Sequence, residues 1–226
     1  MAENVTMLGH FHRLFVIPLL AGASTLAAPL SAERATMLRA QFQARQSETL
    51  TWSATFMQTL TVPGLREPVV SVGTLAYRAP EQLRLDFTKP AGEFVLVLGD
   101  QLFIQKAGMR LAEKSLREDS AGRVFLSLLN LLRGRSLEEE NAYTPEVTHQ
   151  EDRYAVVLMR KPEASSRMPT RITNAITADT LDLREVVVEL PNGGLLSYRF
   201  DGITRNRPLD TMRFAAPTEP TSRELR

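Results

Sequence analysis

Apolar and polar positions alternate with a period of two through GTLAYRAPEQLRLDFTKPAGEFVLVLGDQLFIQ, residues 73–105. Leu75 and Tyr77 alternate with Thr74 and Arg78, Leu83, Leu85 and Phe87 with Arg84, Asp86 and Thr88, and Leu102 and Ile104 with Gln101 and Gln105. Successive side chains of extended backbone point to opposite faces, so each apolar set lines one side of a sheet. The interruptions fall at Ala79-Pro80, Lys89-Pro90 and Gly99-Asp100. Proline cannot donate to a central ladder and Gly-Asp suits a hairpin turn. The stretch therefore predicts four short consecutive antiparallel strands sharing one apolar face.

Upstream, Leu38 and Phe42 stand at helical spacing within Glu33 to Gln46. With Arg34, Arg39 and Arg45 available to solvent, they predict an amphipathic helix over one side of the sheet. Leu50 to Val62 predicts a long strand with Trp52, Ala54, Phe56 and Gln58 on one face, ended by Pro63-Gly64. Met109 to Leu116 predicts a further short strand. Asp119 or Ser120 can cap a helix that runs to Arg133 and stops at Gly134. On it Val124, Phe125, Leu128, Leu129, Leu131 and Leu132 span an arc wider than the usual stripe of about 100°. So broad an apolar face must lie on a core or close over one, because left exposed it would drive association.

The second half returns to strands: Thr144 to Gln150, Tyr154 to Arg160, Arg171 to Thr177, Leu183 to Leu190, Leu195 to Ile203 and Leu209 to Ala215. Asn192-Gly193-Gly194 is a hairpin signal, and Leu196, Tyr198 and Phe200 repeat the inward alternation. About ten strands with few helices cannot close as a parallel α/β sheet. The expected fold is mainly β (α+β), a curved antiparallel sheet forming an incomplete β-barrel with helices covering its concave apolar face.

Compartment follows from the first residues. Arg13 precedes the apolar run Leu14 to Leu20, which gives way to small residues up to Ala28. This reads as a secretory signal peptide over 1–28, cleaved after Ala27 or Ala28, with Ala32 as a further possibility. Pro18 and Gly22 break the run short of the about 20 residues a membrane span needs. The chain has no cysteine, which removes disulfides, thiolate metal ligands and a lipid attachment site after the leader. Residues 29–216 make one domain of ordinary size, and 217–226 a frayed tail. A net charge of +1 with interspersed signs disfavours a nucleic-acid surface.

The inventory of reactive groups is thin. Of the 3 histidines, His10 and His12 fall in the leader and His149 stands alone. No HExxH, GxSxG, Walker or dinucleotide glycine motif occurs, so no metal, cofactor or nucleophilic site is expected. Asp179 with Asp182, and Glu138 to Glu140, are acid clusters in predicted loops, where solvated charge is their ordinary role. The expectation is a protein without catalysis.

The order of leader, amphipathic helix, WSATFMQT, the 73–105 strands, apolar helix and strand-rich tail ending LDTMRFAAP resembles the outer-membrane lipoprotein carrier proteins, the LolA-like family. The sharpest pieces are Phe56 and Gln58 in an F-x-Q step, Gly73, Pro80 opening P-x-x-L-R, Pro90 with Glu93, and Gly99-Asp100. The resemblance implies a lidded incomplete barrel that carries acylated lipoprotein or lipid cargo across the periplasm, from an inner-membrane exporter to an outer-membrane acceptor, as a monomer. It also implies an inward arginine just before Pro80 that latches the lid. Ala79 stands there instead, which marks a divergent member and leaves the lid to rest on apolar packing.

On this reading the cavity face is Phe56, Leu75, Tyr77, Leu83, Leu85, Phe87, Leu102 and Ile104, with Leu196, Tyr198 and Phe200 opposite, and the lid is Phe125, Leu128, Leu129 and Leu132. The same alternation describes a core filled by its own side chains. A shuttle for a glycolipid or other lipid serving a dedicated exporter is the alternative, as is a lipoprotein-sensing regulatory protein.

Overall fold

The period-two segments become strands that pair in the order they are made. The computed structural model describes residues 29–117, 120–135 and 142–217; the predicted leader, Asp119, the Glu138 to Glu140 run and most of the predicted tail lie outside them. Helix α1 (Ala32–Ser47) is followed by β1 (Thr51–Thr61), β2 (Val69–Arg78), β3 (Gln82–Lys89), β4 (Phe94–Leu98), β5 (Gln101–Gln105) and β6 (Ala112–Ser115). Helix α2 (Ser120–Leu132) then precedes β7 (Tyr143–Gln150), β8 (Arg153–Arg160), β9 (Arg171–Thr177), β10 (Leu183–Glu189) and β11 (Leu195–Arg205).

The strands form one antiparallel sheet in the order β6-β5-β4-β3-β2-β1-β11-β10-β9-β8-β7. Each half is a meander, and the halves join where β1 pairs β11, Phe56 opposite Phe200. The outer strands β6 and β7 do not pair with each other, so the curved sheet is an incomplete barrel. Since α2 links β6 to β7, the chain must cross from one edge of the sheet to the other. It does so over the concave face, and the order of elements thereby positions the cover.

Two devices shape this arrangement. A Cβ at Gly73 would meet the Asp86 carbonyl oxygen at 2.1 Å and the Phe56 ring at 2.9 Å. Glycine lets β3 and the ring approach, next to a shift in β2–β3 register at Val72/Gly73. Gly134, at φ +75°, closes α2 in a Schellman arrangement, with Arg135 N–H donating to Asn130 O and Gly134 N–H to Leu131 O.

One sequence expectation fails. Residues 209–215 form no strand; Thr211–Phe214 is a 3-10 turn, capped by Asp210 Oδ1 accepting from Met212 N–H. Pro208 precedes it, and Phe214 packs on the convex side of the sheet with Ala76, Leu96 and Phe103. Burial of that one ring, with Arg213 held to Asp86 at 2.7 Å, outweighs the alternating pattern. The sheet has eleven strands where about ten were expected. Arg39, expected in solvent, instead lines a small cavity beneath α1.

Candidate functional site

All of the predicted cavity and lid residues meet in a single cluster. Leu75, Leu83, Leu85, Leu102 and Phe200 have 0% of their surface accessible, and Phe56, Tyr77 and Tyr198 are buried with them. Phe87, Ile104 and Leu196 are partly buried against the same cluster. Phe125, Leu128, Leu129 and Leu132 of α2 complete it, joined by Leu131. A side chain with no accessible surface faces no void wide enough for water. The centre of the concavity is therefore filled among the described residues, and space for any guest there must come from movement of a helix packed over it.

Aromatic rings form its wall. Phe56 stands edge-on to Phe87, centroids 5.2 Å apart, and to Tyr198 at 6.1 Å, while Trp52 stands edge-on to Phe200 at 5.4 Å. Burial holds the Tyr198 hydroxyl well above its ordinary pKa. The apolar face does not stop at the cover. Leu60 pairs with Val69 on one side and Leu196 on the other, and at this rim Val69 is 49% exposed.

Helix α2 is also held by polar contacts that the apolar pattern does not reveal. Arg133, just past α2, donates from Nε to the Pro80 carbonyl at 2.5 Å and pairs through Nη2 with Glu81 at 2.8 Å. It hydrogen-bonds the Tyr77 hydroxyl as well. Burial raises the Tyr77 pKa, and the Arg133 charge works against that rise. These contacts tie the end of α2 to the β2–β3 turn, beside Ala79. Arg78 does face away, its guanidinium 5.0 Å over the Phe214 ring on the convex side. The only legible sign of Arg133 was a cation in the last turn of an otherwise apolar helix, and its partners lie about 50 residues earlier in sequence.

A second residue missed at first is Asn174. In RITNAIT it takes the inward phase between Ile172 and Ile176, and it is 1% exposed. Its Oδ1 is buried with no hydrogen-bond partner, as is Trp52 Nε1. The acid candidates are otherwise engaged: Asp182 pairs with Arg205 at 2.7 Å, and Asp179 Oδ1 accepts from Thr180 N–H. His149 is exposed and tilts on Tyr154, centroids 4.9 Å apart.

Residues 47–217 match the family described as outer membrane lipoprotein carrier protein LolA. This chain belongs to the LolA family. No curated protein sequence matches it, and it is a divergent member. It is similar in structure to a LolA superfamily protein from Nitrosomonas europaea, with 8% identity and a TM-score of 0.42 over 79% of this chain and 97% of that one. It is similar also to the Mycobacterium tuberculosis lipoprotein LppX, with 13% identity and a TM-score of 0.44 over 79% and 99%. A third similar structure, of Pseudomonas aeruginosa MucA/MucB, gives 14% identity and a TM-score of 0.47 over 81% of this chain and 61% of that one. Among the described residues of this LolA-family chain, no helix is long and apolar enough to cross a membrane.

Proposed function

We propose that this protein is a periplasmic carrier that shields the acyl chains of a lipoprotein or lipid between the inner and outer membranes, without catalysis. The observation that carries the reading is the single cluster in which the concave face of the sheet meets α2, a cover tied at its end by Arg133. Family membership supports lipid or lipoprotein binding. Shielding is physically required: about 0.8 kcal/mol per CH₂ makes a sixteen-carbon chain worth on the order of 12 kcal/mol against exposure to water. A carrier must also let go. The filled centre serves both needs, since the apolar surface of α2 replaces the chain when cargo leaves and no greasy hollow is left open to water.

The leader read over 1–28 places the mature chain, beginning near Pro29, in the periplasm on this proposal. Leu30 N–H donates to Val147 O at 2.8 Å, so the start of the proposed mature chain is tied to the β7 edge. Native and denaturing mass spectra of the protein purified from its own periplasm test the proposal. A stoichiometric acylated species supports it and separates a lipoprotein from a glycolipid cargo. Cargo-free protein that also takes up no fluorescent fatty acid refutes it in favour of a protein-binding role.

A further inference from the structure

Asn174 lies in a row of directly paired concave residues that runs Val147, Val156, Asn174, Val186, Tyr198 across β7, β8, β9, β10 and β11. Its neighbours on both sides are valines. A leucine or valine would fill the same place without leaving an acceptor stranded, and buried polar groups are as a rule hydrogen-bonded. Asn174 also lines a cavity of ≈ 20 Å³, together with Leu38, Arg39 and Phe42 of α1 and Leu131 of α2. That is room for about one water molecule.

We propose that this is the polar end of the lipid site: Asn174 Oδ1 accepts a hydrogen bond from a neutral donor, an amide N–H or a hydroxyl, at the head of an alkyl chain that enters beneath α1. The inference rests on the lipid-carrier reading and adds to it the chemistry of the cargo's head. Helix α1 is the element suited to move aside, because Leu38, Phe42 and Gln46 are the side chains it buries. Helix α2 buries Phe125, Leu128, Leu129, Leu131 and Leu132. The cavity brings the Asn174 amide together with the Arg39 guanidinium, whose Nε is also buried there. Polar groups set among apolar side chains bind a chain without regard to detail and its head with regard to its chemistry.

The test uses the delipidated protein and displacement of a bound fluorescent fatty acid by hexadecanamide or methyl palmitate, which share a chain length and differ in the donor. The wild type binds the amide about tenfold more tightly, the effect of supplying a partner to a buried acceptor. Asn174→Leu abolishes that preference, keeps its affinity for methyl palmitate, and raises Tm by about 2–4 °C by removing the stranded oxygen. A purely structural asparagine would change both affinities together. Asn174→Ala serves as the second variant if the leucine is not accommodated. Equal affinities of the wild type for both lipids overturn the donor site and leave the carrier reading standing. If neither lipid nor the fluorescent probe binds, the carrier reading falls and this inference with it.

Discussion

Arg133 and Glu81 form an ion pair of 2.8 Å that ties the end of α2 to the β2–β3 turn. The arginine side chain is 12% exposed and the glutamate 52%, so solvent screens the acid while the guanidinium remains committed to Pro80 and Tyr77. A half-exposed pair is worth little by itself, and the hydrogen bonds to a buried cation carry more. Replacing Arg133 by methionine keeps most of the apolar stem and removes the latch. The expected loss is about 1–2 kcal/mol, so bound fluorescent fatty acid should leave the variant about five to thirty times faster in stopped flow. Unchanged release would reduce the latch to decoration. Glu81→Gln should have a smaller effect in the same assay.

Leu128 of α2 is 3% exposed, packed in the cluster that joins the helix to the sheet. Leu128→Glu forces a choice between burying a carboxylate and lifting α2 away. Burying the unpaired charge costs far more, so the helix should detach while the strand meander, whose ladders do not involve α2, persists. Lipid retention is then lost, while the far-ultraviolet strand signal stays and binding of a hydrophobic dye rises. Retained lipid would mean that α2 is not the lid.

The concave face was legible in the sequence because its signature is local. Leu83, Leu85 and Phe87 need only alternate to share a face, and Pro80, Pro90 and Gly99-Asp100 mark where strands must turn. Helix α2 was legible for the same reason, as one broad apolar face. Arg133, Asn174 and Phe214 were not. Arg133 acts on a turn about 50 residues away, and nothing local distinguishes it from a solvated end-of-helix cation. Asn174 differs from Ile172 and Ile176 by a polar head in the inward phase, a signal present in RITNAIT that alternation of the apolar residues alone passes over. Phe214 sits in a stretch that alternates well enough for a strand, yet the Asp210 cap and a convex pocket of Ala76, Leu96 and Phe103 turn it into a 3-10 turn.

Gly73 lies in close backbone contact with β3, with a hypothetical Cβ 2.1 Å from the Asp86 carbonyl oxygen. Backbone cannot yield as a side-chain tip can. Gly73→Ala must widen the β2–β3 spacing or push back the Phe56 ring, at a cost of about 2–3 kcal/mol. Thermal unfolding should therefore fall by roughly 4–12 °C. A variant as stable as the wild type would show that the ring and strand have another arrangement of equal energy.

Tyr198 and Tyr77 together predict a loss of stability at alkaline pH. Burial raises the pKa of both above 10.0. Below pH 10 the two hydroxyls are protonated whether the chain is folded or unfolded, and they add no pH dependence. Above it the unfolded chain releases these protons at the ordinary value while the folded chain holds them. The unfolded state is then favoured increasingly until the folded pKa values are reached. Urea midpoints should hold steady approaching pH 10 and fall beyond it. Tyr198→Phe removes the more strongly perturbed hydroxyl and should flatten that fall. In the Arg133 variant Tyr77 loses the positive charge that opposes its desolvation, so the decline should steepen. An alkaline limb identical in wild type and Tyr198→Phe would mean that water reaches the Tyr198 hydroxyl, and that the centre of the concavity opens more readily than its packing implies.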